Sequence, residues 1–119
     1  MNATNKIDLA EIRKLARVLE TFKEVDPAIT LPSILALLYY AEQDNRSGNR
    51  FNVEKQLGMS NATGSRATLY WADLKAPRTP GKDFLSVMQD PEDRRFQIVT
   101  LTRKGLDFVG KVSEAMKKQ

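Results

Sequence analysis

The chain has 119 residues, 41% hydrophobic and 29% charged, with a formal net charge of +4 and neither cysteine nor histidine. That length suits one domain with one real core. The missing residue types exclude disulfides, thiol redox sensing and ordinary zinc sites, and most general acid–base and nucleophilic constellations lose their usual members. A carboxylate-only or Lys/Tyr mechanism stays open but nothing in the sequence points to one, so no metal, cofactor or catalysis is expected.

The first seven residues, Met1 to Ile7, are polar overall, with no basic-then-apolar leader. A first helix is predicted from about Lys6 to Val25, with Ile12, Leu15, Ala16, Leu19 and Phe22 as its apolar stripe. Asp26-Pro27 ends it. A second helix opens with Thr30 as N-cap and Pro32 in the first turn. Ile34 to Ala41 then cover nearly its whole circumference, which predicts a central helix. This apolar run is far shorter than the roughly 20 residues of a membrane span. A soluble, cytoplasmic chain without a membrane partner is expected.

Asp44 to Asn49 reads as a polar loop. A short third helix follows from Asn52, its cap, to Leu57, with Val53 and Leu57 inward and Gly58 as the stop. A fourth starts at the N-cap Ser60 and runs to about Asp73 or Leu74, with Gly64, Ala67, Trp71 and Leu74 inward. Lys75 to Lys82 contains two prolines and a glycine and reads as an exposed basic connector. Phe84 to Gln89 and Phe96 to Leu101 alternate as two strands, joined by the charged turn Asp90 to Arg95. A last helix, capped by Thr102, extends to about Lys118 with Leu106, Val109, Val112 and Met116 as its main stripe and Phe108 and Ala115 beside it. A helix–turn–helix followed at once by a hairpin is the winged-helix arrangement. The fold class is mostly α with a small β-hairpin, α+β.

The charge is unevenly spread. Arg50 to Lys104 holds ten basic and six acidic residues, and the remainder holds nine of each. A basic segment on a neutral scaffold suits a polyanion-binding surface. A helix enters the major groove only if its outer face is slim and polar. Ser60, Asn61, Thr63, Ser65, Arg66 and Thr68 supply such a face, with Arg66 suited to guanine, Asn61 to adenine and Ala62 to a thymine methyl. Arg94 and Arg95 at the hairpin tip suit the minor groove, and Asp93 is placed to brace one of them. The opposing reading is a plain turn in which Asp90, Glu92 and Asp93 neutralise both arginines. Lys55, Lys75, Arg78 and Lys82 are candidate phosphate contacts. Trp71, Tyr39 and Tyr40 read as core rather than as the lining of a ligand site.

Leu57-Gly58-Met59-Ser60-Asn61-Ala62-Thr63-Gly64-Ser65-Arg66 resembles the helix–turn–helix of the MarR (multiple antibiotic resistance regulator) family. Asp90-Pro91-Glu92-Asp93-Arg94-Arg95, five residues, then Leu101-Thr102-Arg103-Lys104-Gly105 resembles that family's wing signature. The resemblance covers roughly Thr30 to Val112. It implies a homodimer joined through N- and C-terminal helices on a pseudo-palindromic operator, usually as a repressor. It implies base contacts at Asn61, Thr63, Ser65 and Arg66, and a minor-groove contact at Arg94 or Arg95. Three departures stand out: Gly64 where the family has a β-branched residue, a longer link over Lys75 to Lys82, and a shorter chain with reduced dimerisation helices. No effector pocket motif is visible, so any small-molecule effector is unknown.

The expected organisation is one winged-helix domain over 1–119. Dimerisation helices occupy about 6–29 and 103–119. A DNA-binding core occupies about 30–102, with the wing at 84–101. The partners expected are double-stranded DNA and a second copy. The alternative is a winged-helix protein–protein adaptor or accessory subunit without DNA specificity of its own, suggested by the acidic wing tip and by Gly64.

Overall fold

Asp8 decides where the first helix begins. Its carboxylate accepts the backbone N–H groups of Ala10 (3.0 Å) and Glu11 (3.3 Å), so α1 spans Leu9–Val25 rather than starting near Lys6. A computed structural model describes residues 6–72, 74–76, 79–80 and 82–117; at 74–76 and 79–80 the backbone alone is described. The chain divides into two compact units, Met1–Ile29 with Gly110–Gln119, and Thr30–Val109.

In the larger unit, α2 spans Leu31–Glu42, with Thr30 accepting the Ser33 N–H (3.4 Å) and Pro32 in the first turn, as predicted. Burial all round is not what forms. Ser33, Ile34, Ala36, Leu37 and Tyr40 are buried, but Leu31 is 63% and Leu35 40% exposed. The domain is small enough that its central helix still has one outward side. Past α2, Asn45 and Arg46 take left-handed φ values of 56° and 55°. The Arg46 guanidinium donates to the Ala41 and Gln43 carbonyls, 3.0 Å each, and satisfies the open C-terminus of α2.

The predicted polar loop yields a strand, β1 (Ser47–Asn49). Ser-Gly-Asn has little intrinsic strand preference, so the strand depends on its partner. It pairs antiparallel with β5 (Gln97–Leu101), and Ser47 and Thr100 share a hydroxyl hydrogen bond of 2.8 Å across the pair. α3 spans Arg50–Gln56 and is capped by Asn49, which accepts the Asn52 N–H (3.3 Å), instead of by Asn52. Gly58, at φ 65°, makes the turn. Its N–H donates to Lys55 O (3.2 Å), and the Met59 N–H reaches back to Glu54 O (2.9 Å). This pair of bonds is a Schellman motif, and it needs the left-handed residue that glycine supplies.

α4 spans Asn61–Trp71, shorter than predicted. The Trp71 and Ala72 carbonyls accept from the N–H groups of Phe84 (2.8 Å) and Asp83 (3.2 Å), which draws the chain out of the helix. The connector is not structureless. β2 (Leu74–Ala76) and β3 (Thr79–Pro80) form a two-stranded antiparallel pair. The hairpin forms as predicted: β4 (Leu85–Gln89) pairs with β5 from Leu85↔Leu101 to Gln89↔Gln97, and the sheet order is β1-β5-β4. α5 spans Arg103–Lys117. Thr102 starts it, accepting the Gly105 N–H (3.0 Å) and donating to Asp83 O (2.6 Å). Lys118 lies outside the described residues.

Trp71 centres the core of this unit. It is fully buried, its indole N–H donates to Ser33 O (2.6 Å), and it stacks on Phe84, which stacks on Phe108, at centroid distances of 5.3 and 5.0 Å. Gly105 lies against this cluster. A Cβ there would overlap the Phe84 carbonyl, so the first turn of α5 accepts no side chain at that position. Trp71 and Tyr40 are therefore core, as expected. Tyr39 instead lines an open polar cleft of about 590 Å³ beside α3.

In the smaller unit the predicted stripes only partly agree with burial. Val18 and Phe22 of α1 are buried, but Ile12, Leu15 and Leu19 are 53%, 55% and 45% exposed. On the part of α5 that belongs to this unit, Val112 and Ala115 are buried and Met116 is exposed; earlier in α5, within the larger unit, Gly105 and Phe108 are buried and Leu106 is exposed. Arg17 Nε donates to Ala115 O at 3.2 Å.

Tyr40 supplies a pH-dependent check. Burial pushes its hydroxyl up to about 12, against a 3.5 Å hydrogen bond with Thr68 that acts the other way. An unfolded tyrosine ionises near pH ~10. Below that value both states hold the proton and the stabilisation is complete. As pH rises from about 10 towards 12, the unfolded chain loses its proton first and stability drains away. Denaturant titrations across this window are expected to show that fall, and Tyr40→Phe to make it shallower.

Candidate nucleic-acid interface

α4 meets the requirement for a groove-entering helix. Gly64, Ala67, Thr68 and Trp71 face inward, while Asn61, Ala62 and Arg66 are exposed and Thr63 and Ser65 half-exposed. Thr68, predicted on the polar outer face, is a correction. It is buried against the Tyr40 hydroxyl, because it falls one position after Ala67 on the inward side. Ser60 is the N-cap, as predicted. Its hydroxyl accepts the Thr63 N–H (3.1 Å) and donates to Thr63 Oγ1 (3.0 Å). Both hydroxyls are thus engaged in starting the helix, and Asn61, Ser65 and Arg66 remain as the outward polar groups. Leu69, 37% exposed, continues this face and was not singled out from the sequence.

The wing turn is built by its own acids. Asp90 Oδ1 accepts the Glu92 N–H (2.9 Å), and backbone bonds from Asp93 to Asp90 O (3.2 Å) and from Asp90 to Phe96 O (3.0 Å) close it. Asp93 braces Arg95 with a two-pronged pair, Nε to Oδ1 3.0 Å and Nη2 to Oδ2 2.8 Å. Those bonds hold the Asp93 carboxyl below the ordinary carboxylate range. The Arg95 guanidinium also lies 5.6 Å from the Phe96 ring centroid. Arg94 is exposed and makes no ion pair among the described residues. The acids therefore do not simply cancel both arginines. One arginine is held in a fixed direction and its neighbour is not paired with an acid among the described residues.

The helix and the wing meet at one place. Asn61 of α4 and Arg95 of the wing line a single small cleft of about 140 Å³, together with Arg50, Glu54, Phe96 and Gln97. Phe51 and Phe96, rings 6.0 Å apart, join α3 to the turn end of the wing. Sequence spacing does not reveal this juxtaposition, because the residues are more than thirty positions apart. A second cleft, about 500 Å³ and walled largely by apolar groups, runs between the start of α2 and the side of α4 (Thr30, Pro32, Thr63, Arg66, Ala67 and Tyr70 among its lining). No motif in the sequence signals this pocket.

The phosphate candidates divide. Lys55 is exposed on α3, and Lys82 is half-exposed with its ammonium 5.5 Å from the Tyr70 ring centroid. Lys75 lies in β2 with its side chain outside the described residues, and Arg78 lies outside them altogether. Among the described residues no cluster of acidic side chains is suited to a metal ion, and no helix is long and apolar enough to cross a membrane.

A helix–turn–helix, a slim polar second helix and an arginine-tipped hairpin closed by a third strand define a MarR-like winged-helix α+β fold. The solved structures it resembles include RV1404 from Mycobacterium tuberculosis, at TM-score 0.68 and 21% identity over 92% of this chain and 67% of that one. The transcriptional regulator Tm0710 from Thermotoga maritima gives 0.66 and 20%, over 92% and 66%. Sco3205, a MarR family transcriptional regulator from Streptomyces coelicolor in complex with DNA, gives 0.63 and 16%, over 91% and 60%. The chain thus spans about two thirds or less of their lengths. No protein-family model and no curated protein matches the sequence.

Proposed function

We propose that the protein is a sequence-specific double-stranded DNA-binding transcriptional regulator that acts as a homodimeric repressor in the cytoplasm and carries no catalytic activity. The observation that carries this reading is the shared cleft of Asn61 and Arg95. It puts the start of a slim polar helix on the same side of the unit as a braced arginine, which supports a helix addressing a major groove while the wing addresses the minor groove next to it. Asn61, Ser65 and Arg66 read base edges. Ser60 and Thr63 present the helix N-terminus. Arg95 enters the minor groove, and Arg94, Lys55 and Lys82 hold phosphates. The fold shared with a MarR family regulator solved on DNA supports the same reading.

The dimer rests on α1. Ile12, Leu15 and Leu19 recur along one helix stripe and stay about half exposed in the single subunit, and a second copy is the partner that would cover them. The cleft between α2 and α4 is where a small apolar effector would touch the reading helix directly. The acidic wing tip and Gly64 do not require an adaptor role, because Asp93 braces Arg95 and Gly64 accommodates a neighbouring side chain.

Selection of bound duplexes from a random pool tests the reading. A palindromic consensus with steeply salt-dependent binding is the expected result. Arg66→Ala is expected to lose about 1–3 kcal/mol of discrimination at one base position of each half-site. Absence of any enriched sequence at low salt would overturn the proposal.

A further inference from the structure

Gly64 is a poor helix residue in the middle of α4, and Glu54 is a carboxylate buried to 5% exposure on α3. Each is unexplained alone, and each accounts for the other. A Cβ placed on Gly64 would overlap Glu54 Cγ and lie 2.5 and 2.8 Å from its Cδ and Oε1. The Glu54 side chain therefore fills the notch left by the missing methyl group. It is held there at both ends. Its backbone carbonyl accepts the Met59 N–H of the turn at 2.9 Å, and Oε1 sits 3.1 Å from Arg50 Nη1. That pairing lacks hydrogen-bond alignment, so Oε1 is a buried oxygen without a hydrogen bond among the described residues. Burial pushes the carboxyl above its ordinary range, with Arg50 opposing. An arrangement this unfavourable to the carboxylate persists where its shape is needed. The same side chain lines the cleft that Asn61 and Arg95 share, so displacing it alters the space between helix and wing.

We infer that Glu54 is a positioning residue for α4: seated in the notch at Gly64, it sets the separation of the two helices of the helix–turn–helix and so where Asn61 stands relative to Arg95. The consequence for binding rests on the reading of α4 as a DNA-contacting helix; the interlock itself does not.

The sign of one substitution separates this from ordinary helix physics. By intrinsic propensity Gly64→Ala should strengthen α4. With the notch occupied it must displace Glu54 or the helix. The full chain, Gly64→Ala, Glu54→Ala, the double variant and Glu54→Gln form the test. Each is followed by emission of the single tryptophan, Trp71 on α4, by its thermal midpoint, and by affinity for the duplex selected above, measured well below that midpoint. Gly64→Ala is expected to shift the emission, lower the midpoint and weaken binding roughly tenfold or more, the size of one lost base contact. The double variant is expected to restore the emission and return affinity to within about threefold of the parent, the additivity failure of two residues in contact. Glu54→Gln keeps the shape without the charge and is expected to match the parent. A Gly64→Ala variant equal to the parent, a double variant no better than the single, or a glutamine variant as impaired as Gly64→Ala would each overturn the inference. Should Gly64→Ala not fold, recovery of a folded double variant supports it and a double variant that also fails to fold overturns it. A parent that binds no duplex defeats the DNA reading, while emission and midpoint still decide the interlock.

Discussion

Trp71→Ala is expected to destabilise the protein severely, with a loss of about 3–5 kcal/mol for so large a buried side chain. The loss has three physical parts. The indole is fully buried, so its removal opens a cavity that α2, α4 and the hairpin cannot close without moving together. It strands the Ser33 carbonyl, now bonded to the indole N–H at 2.6 Å, inside the core. It also breaks a run of aromatic contacts: Trp71 is stacked on Phe84 at 5.3 Å and set edge-on to Tyr70 at 4.9 Å. A domain of this size has roughly 5–15 kcal/mol in all, so the loss removes much of it. Urea unfolding monitored by circular dichroism reads the effect. A midpoint within experimental scatter of the parent would mean the cluster does not organise the core.

The second large effect concerns assembly. Leu15→Glu, with or without Leu19→Glu, is expected to convert a dimer to monomers without unfolding the subunit. Both side chains are about half exposed in the single subunit, so a glutamate there is solvated in the monomer and buried only in the dimer. Each leucine is worth about 1.5–3 kcal/mol when fully buried; about half of that is left to gain in the dimer, and two-fold symmetry counts it twice, which amounts to roughly a 10–10²-fold weaker dimer for each leucine replaced. Binding to a palindromic duplex falls with it, because a lone subunit engages one half-site. Analytical ultracentrifugation of parent and variant decides the matter. A parent that sediments as a monomer at all concentrations would remove the homodimer from the proposed function.

Much of the fold was legible because it is written in local chemistry. Thr30, Gly58, Ser60 and Thr102 are caps or turns whose side chains or φ angles act within a few residues of themselves, and each does what its type predicts. The alternation over β4 and β5 is likewise local. The misses have a common cause. Asn49 rather than Asn52 caps α3 because β1 delivers the chain at that point, and β1 exists only because β5 offers it a free edge. α4 stops at Trp71 because distant N–H groups capture its last carbonyls. Thr68 is polar yet inward because Tyr40 waits for it there. At the site, residue types at the right spacing pointed to Asn61, Ser65 and Arg66 and to the wing arginines. Their roles were not separable until the geometry showed Ser60 and Thr63 engaged with each other and Asp93 engaged with Arg95.

Periodicity and turn chemistry by themselves determined the fold class: a helix–turn–helix running into an arginine-tipped hairpin. Such features depend on short stretches of backbone and are written within a few turns of chain. Only the tertiary structure decided that the apolar stripe of α1 is left largely uncovered, that Glu54 fills the space above Gly64, and that Asn61 and Arg95 face one cleft. These are relations between segments far apart in sequence, set by which surfaces the packed core leaves available, and no single stretch of residues carries them.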